Sequence, residues 1–293
     1  YKERYLAEVN GSYTGSENFA PGHRFGFFPA ASVGWVISNE PFFKNMTRTV
    51  DLLKLRASYG VTGGAVSELG NYDYLSAITL STYYFNGGQE QIAYLSKMTD
   101  YSRTWEKLQN LNIGVDFALW NRLRGSVEWF DRQSRDLLYN YTAPQPPYIY
   151  STILVNVGTT VNRGIEVSLE GDAFKGTPVE WTTGINYSYG TTKLDKLSNS
   201  LYKASYVELY QKPGVGTSEY FFRVEEGSKI GQFYGYEYAG VENGDMMIYT
   251  DEGEKVPVSK ADVKYKRHIG NGTPTSYLSW SNTLRYKLSL IHI

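Results

Sequence analysis

The feature that most constrains this chain is a strict two-residue alternation sustained for longer than a soluble sheet requires. From Leu111 the apolar positions are Leu111, Ile113, Val115, Phe117 and Leu119, interleaved with Asn112, Gly114, Asp116 and Ala118. After Trp120-Asn121-Arg122 the pattern resumes as Leu123, Gly125, Val127 and Trp129 against Arg124, Ser126, Glu128 and Phe130. Successive side chains of a strand point to opposite faces, so this spacing predicts a hairpin with one greasy and one charged face.

The same pattern returns along the chain. Tyr5, Ala7, Val9, Gly11 and Tyr13 form one face, and Phe27, Pro29, Ala31, Val33 and Trp35 another. Leu53 to Tyr59, Ile165 to Leu169, Trp181 to Tyr189 and Leu278 to Tyr286 complete eight strands, several of them longer than the roughly 5–6 residues usual in soluble sheets. Short connections at 38–51, 120–122 and 171–178 interleave with long ones at 15–24, 63–104, 140–152 and 195–273. That parity predicts an all-β antiparallel transmembrane barrel, with tight turns on the periplasmic rim and long loops outside. The long excursion at 195–273 is expected to add an even number of strands.

Composition is compatible with this reading and excludes others. No run approaches the roughly 20 apolar residues of a membrane helix, a test that barrel strands escape because only alternate residues meet lipid. The 27 Tyr and 6 Trp suit an aromatic girdle, and they also suit a secreted β-protein that stacks on sugars. Such a protein would carry polar residues where Leu111, Val115, Val127 and Trp129 stand. With no cysteine, thiolate metal sites and cysteine nucleophiles are excluded. A formal charge of −1 with interspersed signs gives no nucleic-acid footprint.

Several segments resemble one family in its own order. Ser16 to Pro29 (Ser-Glu-Asn-Phe-Ala-Pro-Gly-His-Arg-Phe-Gly-Phe-Phe-Pro), with Gly34-Trp35 beyond, resembles a strand-loop-strand signature of the SusC/RagA-type TonB-dependent outer-membrane receptors. Leu53 to Gly63, Trp105-Glu106-Lys107 leading into Leu111 to Gly114, Asn162 to Glu166, and Gly270 to Pro274 are similar to further elements of that family. The resemblance implies a barrel of about 22 strands around a plug. It also implies a TonB-contacting segment upstream, a SusD-like surface lipoprotein as lid, and energised uptake of oligosaccharides or peptides from the outer membrane. A passive porin is the alternative that shares the barrel physics. Some relatives carry a calcium-loop-like acidic run; here Asp251, Glu252 and Glu254 lack the alternating carboxylates such a loop needs, so no metal or other cofactor is expected.

No enzyme is expected. The histidines, His23, His268 and His292, fall in loops or the tail without a Ser or Asp at catalytic spacing. The candidate ligand residues are loop aromatics: Tyr83, Tyr84 and Phe85 before Gly87-Gly88, and Tyr148 and Tyr150 in the run Pro144 to Tyr150. Flat rings there suit the faces of glycan rings, or pack the loops against each other or against the lipoprotein. The inward charges Arg56, Asp116, Arg124 and Glu128 are expected to meet the plug or water.

Two expectations concern the ends. Tyr1 is preceded by no initiator Met or apolar signal core, which reads as a start inside a strand, with plug and TonB segment in a longer parent. Residues 1–287 are expected to form part of the receptor barrel. Residues 288–293, Leu-Ser-Leu-Ile-His-Ile, are expected to be a non-native tail, because that hexapeptide translates CTGTCTCTTATACACATC, a transposon end used in sequencing-library preparation.

Overall fold

The computed structural model describes residues 1–46, 48–64, 69–76, 78–95, 97–142, 150–199, 202–211, 219–287 and 289–292. Its main body is one antiparallel sheet of nine strands. In spatial order these are β1 (Tyr5–Gly15), β2 (Phe25–Val36), β3 (Val50–Gly64), β6 (Glu106–Leu119), β7 (Leu123–Thr142), β8 (Thr152–Phe174), β9 (Val179–Lys196), β17 (Ser276–Tyr286) and β18 (Ser289–His292). The first eight contain the eight alternating segments. The ninth pairs its backbone with Thr283 to Tyr286. Neighbouring strands are consecutive except where excursions intervene, between β3 and β6 and between β9 and β17.

Register fixes the faces. Leu55 lies opposite Val115 and Val115 opposite Val127, which in turn faces Val167 and, beyond it, Tyr187. Trp35, Ile113, Trp129, Ile165 and Trp280 share that face and are all more than a third exposed, although no soluble core covers them. The opposite face carries Arg56, Asp116, Glu128 and Glu166. A one-residue slip would exchange the two sets on every strand, so the pattern itself holds the register.

Both rims are visible in the connections. On one side the links are 120–122, 175–178 and the segment holding the 3-10 turns Ile37–Asn39 and Pro41–Met46. Glu40 in that segment accepts hydrogen bonds from the Tyr5 hydroxyl at 2.6 Å and the Trp35 indole at 3.0 Å. The polar tips of two outward aromatics are thus drawn to the rim, as a girdle at a membrane interface requires. On the other side β7 and β8 run to 20 and 23 residues. About 9–11 suffice to cross the hydrocarbon, so the upper parts of both strands extend beyond it and reduce the 140–152 connection to 143–151.

The long connections are not bare loops. Between β3 and β6 a hairpin forms from β4 (Ile78–Phe85) and β5 (Gly88–Leu95), turned by Asn86 and Gly87, both at positive φ. The 195–273 excursion holds β10 (Tyr206–Gln211), β11 (Tyr220–Glu225), β12 (Gln232–Gly235) and β16 (Arg267–Asn271) in one sheet. A second sheet contains β13 (Tyr238–Glu242), β14 (Asp245–Tyr249) and β15 (Lys255–Pro257). Among the described residues the excursion thus holds seven short strands. Parity survives because none of them joins the nine-stranded wall.

The wall has two edges, and unpaired N–H and C=O groups in hydrocarbon cost several kcal/mol each. A sheet with one lipid-compatible face is stable there only as part of a closed barrel, so these strands are a sector of a larger wall. The two-face assignment predicts opposite outcomes for adjacent substitutions. In the closed receptor, Val127→Arg should destabilise by roughly 2–4 kcal/mol near the midplane, whereas Ser126→Arg, on the inward face, should be far milder. Urea titration measures both, and equal losses would refute the alternation.

Candidate functional site

The inward face is a continuous polar surface built by register. Arg56 on β3 lies flat across β6, where Gly114 makes room: a Cβ at that glycine would sit 2.8 Å from the guanidinium carbon. The guanidinium donates to Asp116 at 3.1 Å, Asn112 at 3.2 Å and Glu128 at 2.5 Å, linking three strands. Asn112 also donates to Glu128. Nearer the short-turn rim Arg124 pairs with Glu170, and lies 3.6 Å from Asp172. Half-exposed pairs of this kind add little stability; their consequence is a hydrophilic, charge-balanced lining. The four inward charges singled out from the sequence all sit in these two clusters.

Toward the other rim the lining becomes a cavity of about 320 Å³. Its wall is Arg132, Asn162, Glu166, Ser188 and Tyr277, and its far side is Lys229, Ile230, Asn271, Thr273, Pro274 and Thr275 from the excursion. The excursion is tied to the edge of β9 by Ile230 N–H donating to the Thr192 carbonyl at 2.9 Å and Gly190 N–H to the Thr275 carbonyl at 2.9 Å, which continues the sheet past the end of β17. Gly231 lies at φ +88, and a Cβ there would collide with Thr273 Oγ1 at 2.1 Å, so glycine is required for the Gly270-to-Pro274 segment to close. Phe130, 4% exposed, fills the notch left by Gly164 and carries the Arg132 guanidinium 4.2 Å above its ring. Arg132 is thereby held toward Glu166 at 3.8 Å. Hydroxyls, amides, one ion pair and the exposed Tyr277 ring converge on one concave space.

At the mouth, separate loops meet in a dry cluster of Phe19, Phe28, Leu69 and Trp105. Trp105 donates its indole N–H to the Arg24 carbonyl at 2.9 Å, and the Arg24 guanidinium reaches the Phe19 carbonyl at 3.2 Å and the Tyr74 hydroxyl at 3.0 Å. Arg103, almost wholly buried, donates to the Asp73 carboxylate and to its carbonyl, each at 2.8 Å, while Lys97 also pairs with Asp73. Partial burial works to raise the Asp73 carboxyl, but hydrogen bonds and charge from Lys97 and Arg103 outweigh it and hold the group below its ordinary value.

The loop aromatics divide differently from expectation. Tyr83, Tyr84 and Phe85 lie on β4, where alternation puts Tyr83 and Phe85 on one face of the hairpin and Tyr84 on the other. All three are well exposed, but they form no single platform. Tyr150 is half-buried at the foot of β8, and Tyr148 lies outside the described residues. His268 is on strand β16 rather than in a loop, edge-on to Tyr234 with ring centroids 5.6 Å apart. The acidic residues 251–254 form the turn between β14 and β15. Sequence reasoning missed Arg223, which is stacked between Tyr206 at 3.8 Å and Tyr234 at 4.4 Å and bonded to Glu208 at 3.0 Å. Its signal was weak, because β10 to β12 are too short to show a period.

Comparison with known proteins gives this geometry a lineage. Residues 1–290 match the family pattern described as TonB dependent receptor-like, beta-barrel. The chain belongs to that family. It is 29% identical over 98% of its length to TonB-dependent receptor P3 of Formosa agariphila, and 27% identical over 92% to TonB-dependent receptor SusC of Bacteroides thetaiotaomicron. It covers 29% and 27% of those proteins, under a third of either. Among solved structures the RagAB peptide importer in its open-open state superposes with a TM-score of 0.79 at 24% identity, over 98% of this chain and 30% of that one, which shows the fold. The receptor is accordingly an outer-membrane β-barrel protein.

Family membership makes sense of the mouth cluster. Phe19, Arg24, Phe28 and Trp105 come from two of the segments that resemble the SusC/RagA type, and they touch one another. Those signatures therefore act as an anchor for the loops. Asp73 ties the 69–105 connection to this anchor, with a definite pH sign. Its depressed pKa means the stabilisation is complete above the ordinary carboxylate value of 3.8 and is lost as pH falls through the lower folded value. Amide exchange in 97–105, corrected for its intrinsic pH dependence, should accelerate over that acid window. Asp73→Asn should show the faster exchange already at neutral pH; an identical profile in both proteins would contradict the anchor.

Proposed function

We propose that this chain is a wall sector of an energised outer-membrane importer for oligosaccharides or other large nutrients, working with a SusD-like surface lipoprotein and driven through TonB. The observation that carries the reading is the cavity of about 320 Å³ between the inward face and the tied-down excursion. A passive pore needs an open lumen. Here residues Gly227 to Ile230 and Thr275 hydrogen-bond along the edge of β9, and Lys229, Ile230, Asn271 and Thr273 close one side of the cavity toward the long connections. A cargo that enters must pass a surface of hydroxyls, amides and paired charges, which suits a hydroxylated or amide-rich molecule and offers little to an apolar one.

A glycan is favoured over a peptide by the mix at the cavity. Tyr277 presents a broad exposed ring, and Asn162, Ser188, Glu166 and Arg132 supply donors and acceptors at its side. The peptide reading draws support from the RagAB peptide importer, whose fold this chain shares.

The function is gated import, without catalysis. Uptake of a fluorescent oligosaccharide by cells carrying the closed receptor should fall to background when TonB is deleted. Tyr277→Ala should weaken it several-fold while leaving the receptor's abundance unchanged. Uptake that persists without TonB would replace the importer with a passive porin.

A further inference from the structure

The outward face is not uniform around the wall. Past the apolar band, on the side of the long connections, strands β6 to β9 carry Lys107, Arg135, Arg163 and Lys193. Their orientation follows from register: Lys107 is opposite Arg135, Arg163 opposite Asp131, and Lys193 opposite Val161, all on the face of Trp129 and Ile165. The outward lysines and arginines of the wall strands all lie on this side of the band. At the same level β1 and β2 instead present Tyr13, Phe25 and Phe27, with Tyr13 and Phe25 stacked at 5.1 Å.

Two of the four cations are neutralised. Arg163 meets Asp131 at 2.7 Å and Lys107 meets Asp136 at 3.0 Å. Among the described residues Arg135 donates only to the neutral Gln133, at 2.7 Å. Among the described residues no carboxylate pairs with Arg135 or Lys193, and both side chains are exposed. Two cations without a carboxylate partner among the described residues therefore sit on the outward surface, beyond the apolar band.

Their height identifies what they meet. Same-face positions are about 6.8 Å apart along a strand. Arg163, Lys193 and Arg135 stand one, two and three such steps beyond the level of Trp129, Ile165 and Tyr189. With strands tilted by about 45°, these steps correspond to roughly 5, 10 and 14 Å above the band. That is the headgroup layer, which is about 5–8 Å deep in an ordinary bilayer and deeper where the headgroup is a sugar. The outer leaflet of a bacterial outer membrane consists of glycolipid whose sugars carry phosphate. Lysine and arginine are long enough to adjust to such a group, and a guanidinium matches its oxygens in bidentate fashion.

We propose that the outward surface formed by Lys107, Arg135, Arg163 and Lys193 is a binding site for the phosphorylated headgroup of an outer-leaflet glycolipid. The site rests on the long-connection rim facing the cell exterior, and it is independent of the cargo.

The test is native mass spectrometry of the closed receptor in detergent, with added bisphosphorylated lipid A, its dephosphorylated form, or lipid A with inorganic phosphate as competitor. The receptor should retain the phosphorylated lipid and hold the dephosphorylated form at least tenfold more weakly. Arg135→Gln with Lys193→Gln should lose roughly tenfold or more in retention, while Lys54→Gln, which removes a charge from the inward face, should not change it. Equal retention of the two lipids overturns the proposal, and that comparison needs no variant to fold. So does equal retention by the double variant and the unmodified receptor. Complete displacement of the lipid by millimolar inorganic phosphate would show a free-anion site and overturn the lipid assignment.

Discussion

Everything in this structure depends on the demand that backbone N–H and C=O groups find partners where water is absent. In hydrocarbon a strand cannot leave its edges open, so the wall strands β2, β3 and β6 to β9 are hydrogen-bonded on both sides, and β17 is too where β18 meets it at Thr283 to Tyr286. Once the backbone is locked in a sheet, side chains have only two directions. Alternation then delivers Val127 and Trp129 to lipid and Glu128 and Arg132 to the lumen from the same short segment. The inward chemistry is thus a consequence of the outward requirement: every lipid-facing residue places its neighbours inside.

The lumen uses that freedom in a graded way. Near the short-turn rim, cross-strand pairs such as Arg124 with Glu170 and Asp172 cancel charge over the lining. Higher up, Phe130 over Gly164 and the tied-down Gly270-to-Pro274 segment create a concave surface. Above that, Phe19, Phe28, Leu69 and Trp105 give the receptor a small dry core, a feature its membrane wall does not need. Val61, Leu138 and Leu154 of the wall strands pack against this cluster, which joins the loops of the mouth to the wall.

The wall was legible in the sequence because lipid enforces a period of two over many residues, as from Leu111 to Leu119. The parity of short and long connections was legible for the same reason. The small strands β10 to β16 were not, since three to six residues packed partly on one another show no clean period. The hairpin carrying Tyr83 to Phe85 is poorly legible because both of its faces are largely exposed, so the run Tyr83-Tyr84-Phe85 breaks the alternation begun by Ile78 and Leu80. The candidate site was only half visible: Arg56, Asp116, Arg124 and Glu128 were placed on the correct face. The cavity, however, depends on Arg132, Glu166 and Tyr277 being brought to Asn271 by long-range register, which no local pattern encodes. Arg223 between two tyrosines was hidden likewise.

The central claim is that one face of this sheet meets lipid and the other a hydrated lumen. Single spin labels placed from position 123 to 135 of β7 in the closed receptor, reconstituted in bilayers, test it directly. Collision rates with oxygen, which partitions into lipid, and with a water-soluble nickel chelate should alternate in antiphase. Oxygen access should be highest at odd positions 123 to 129, and chelate access should rise from position 131 upward. Accessibility that varies with a period near 3.6, or that shows chelate access equal on both faces, would contradict the account.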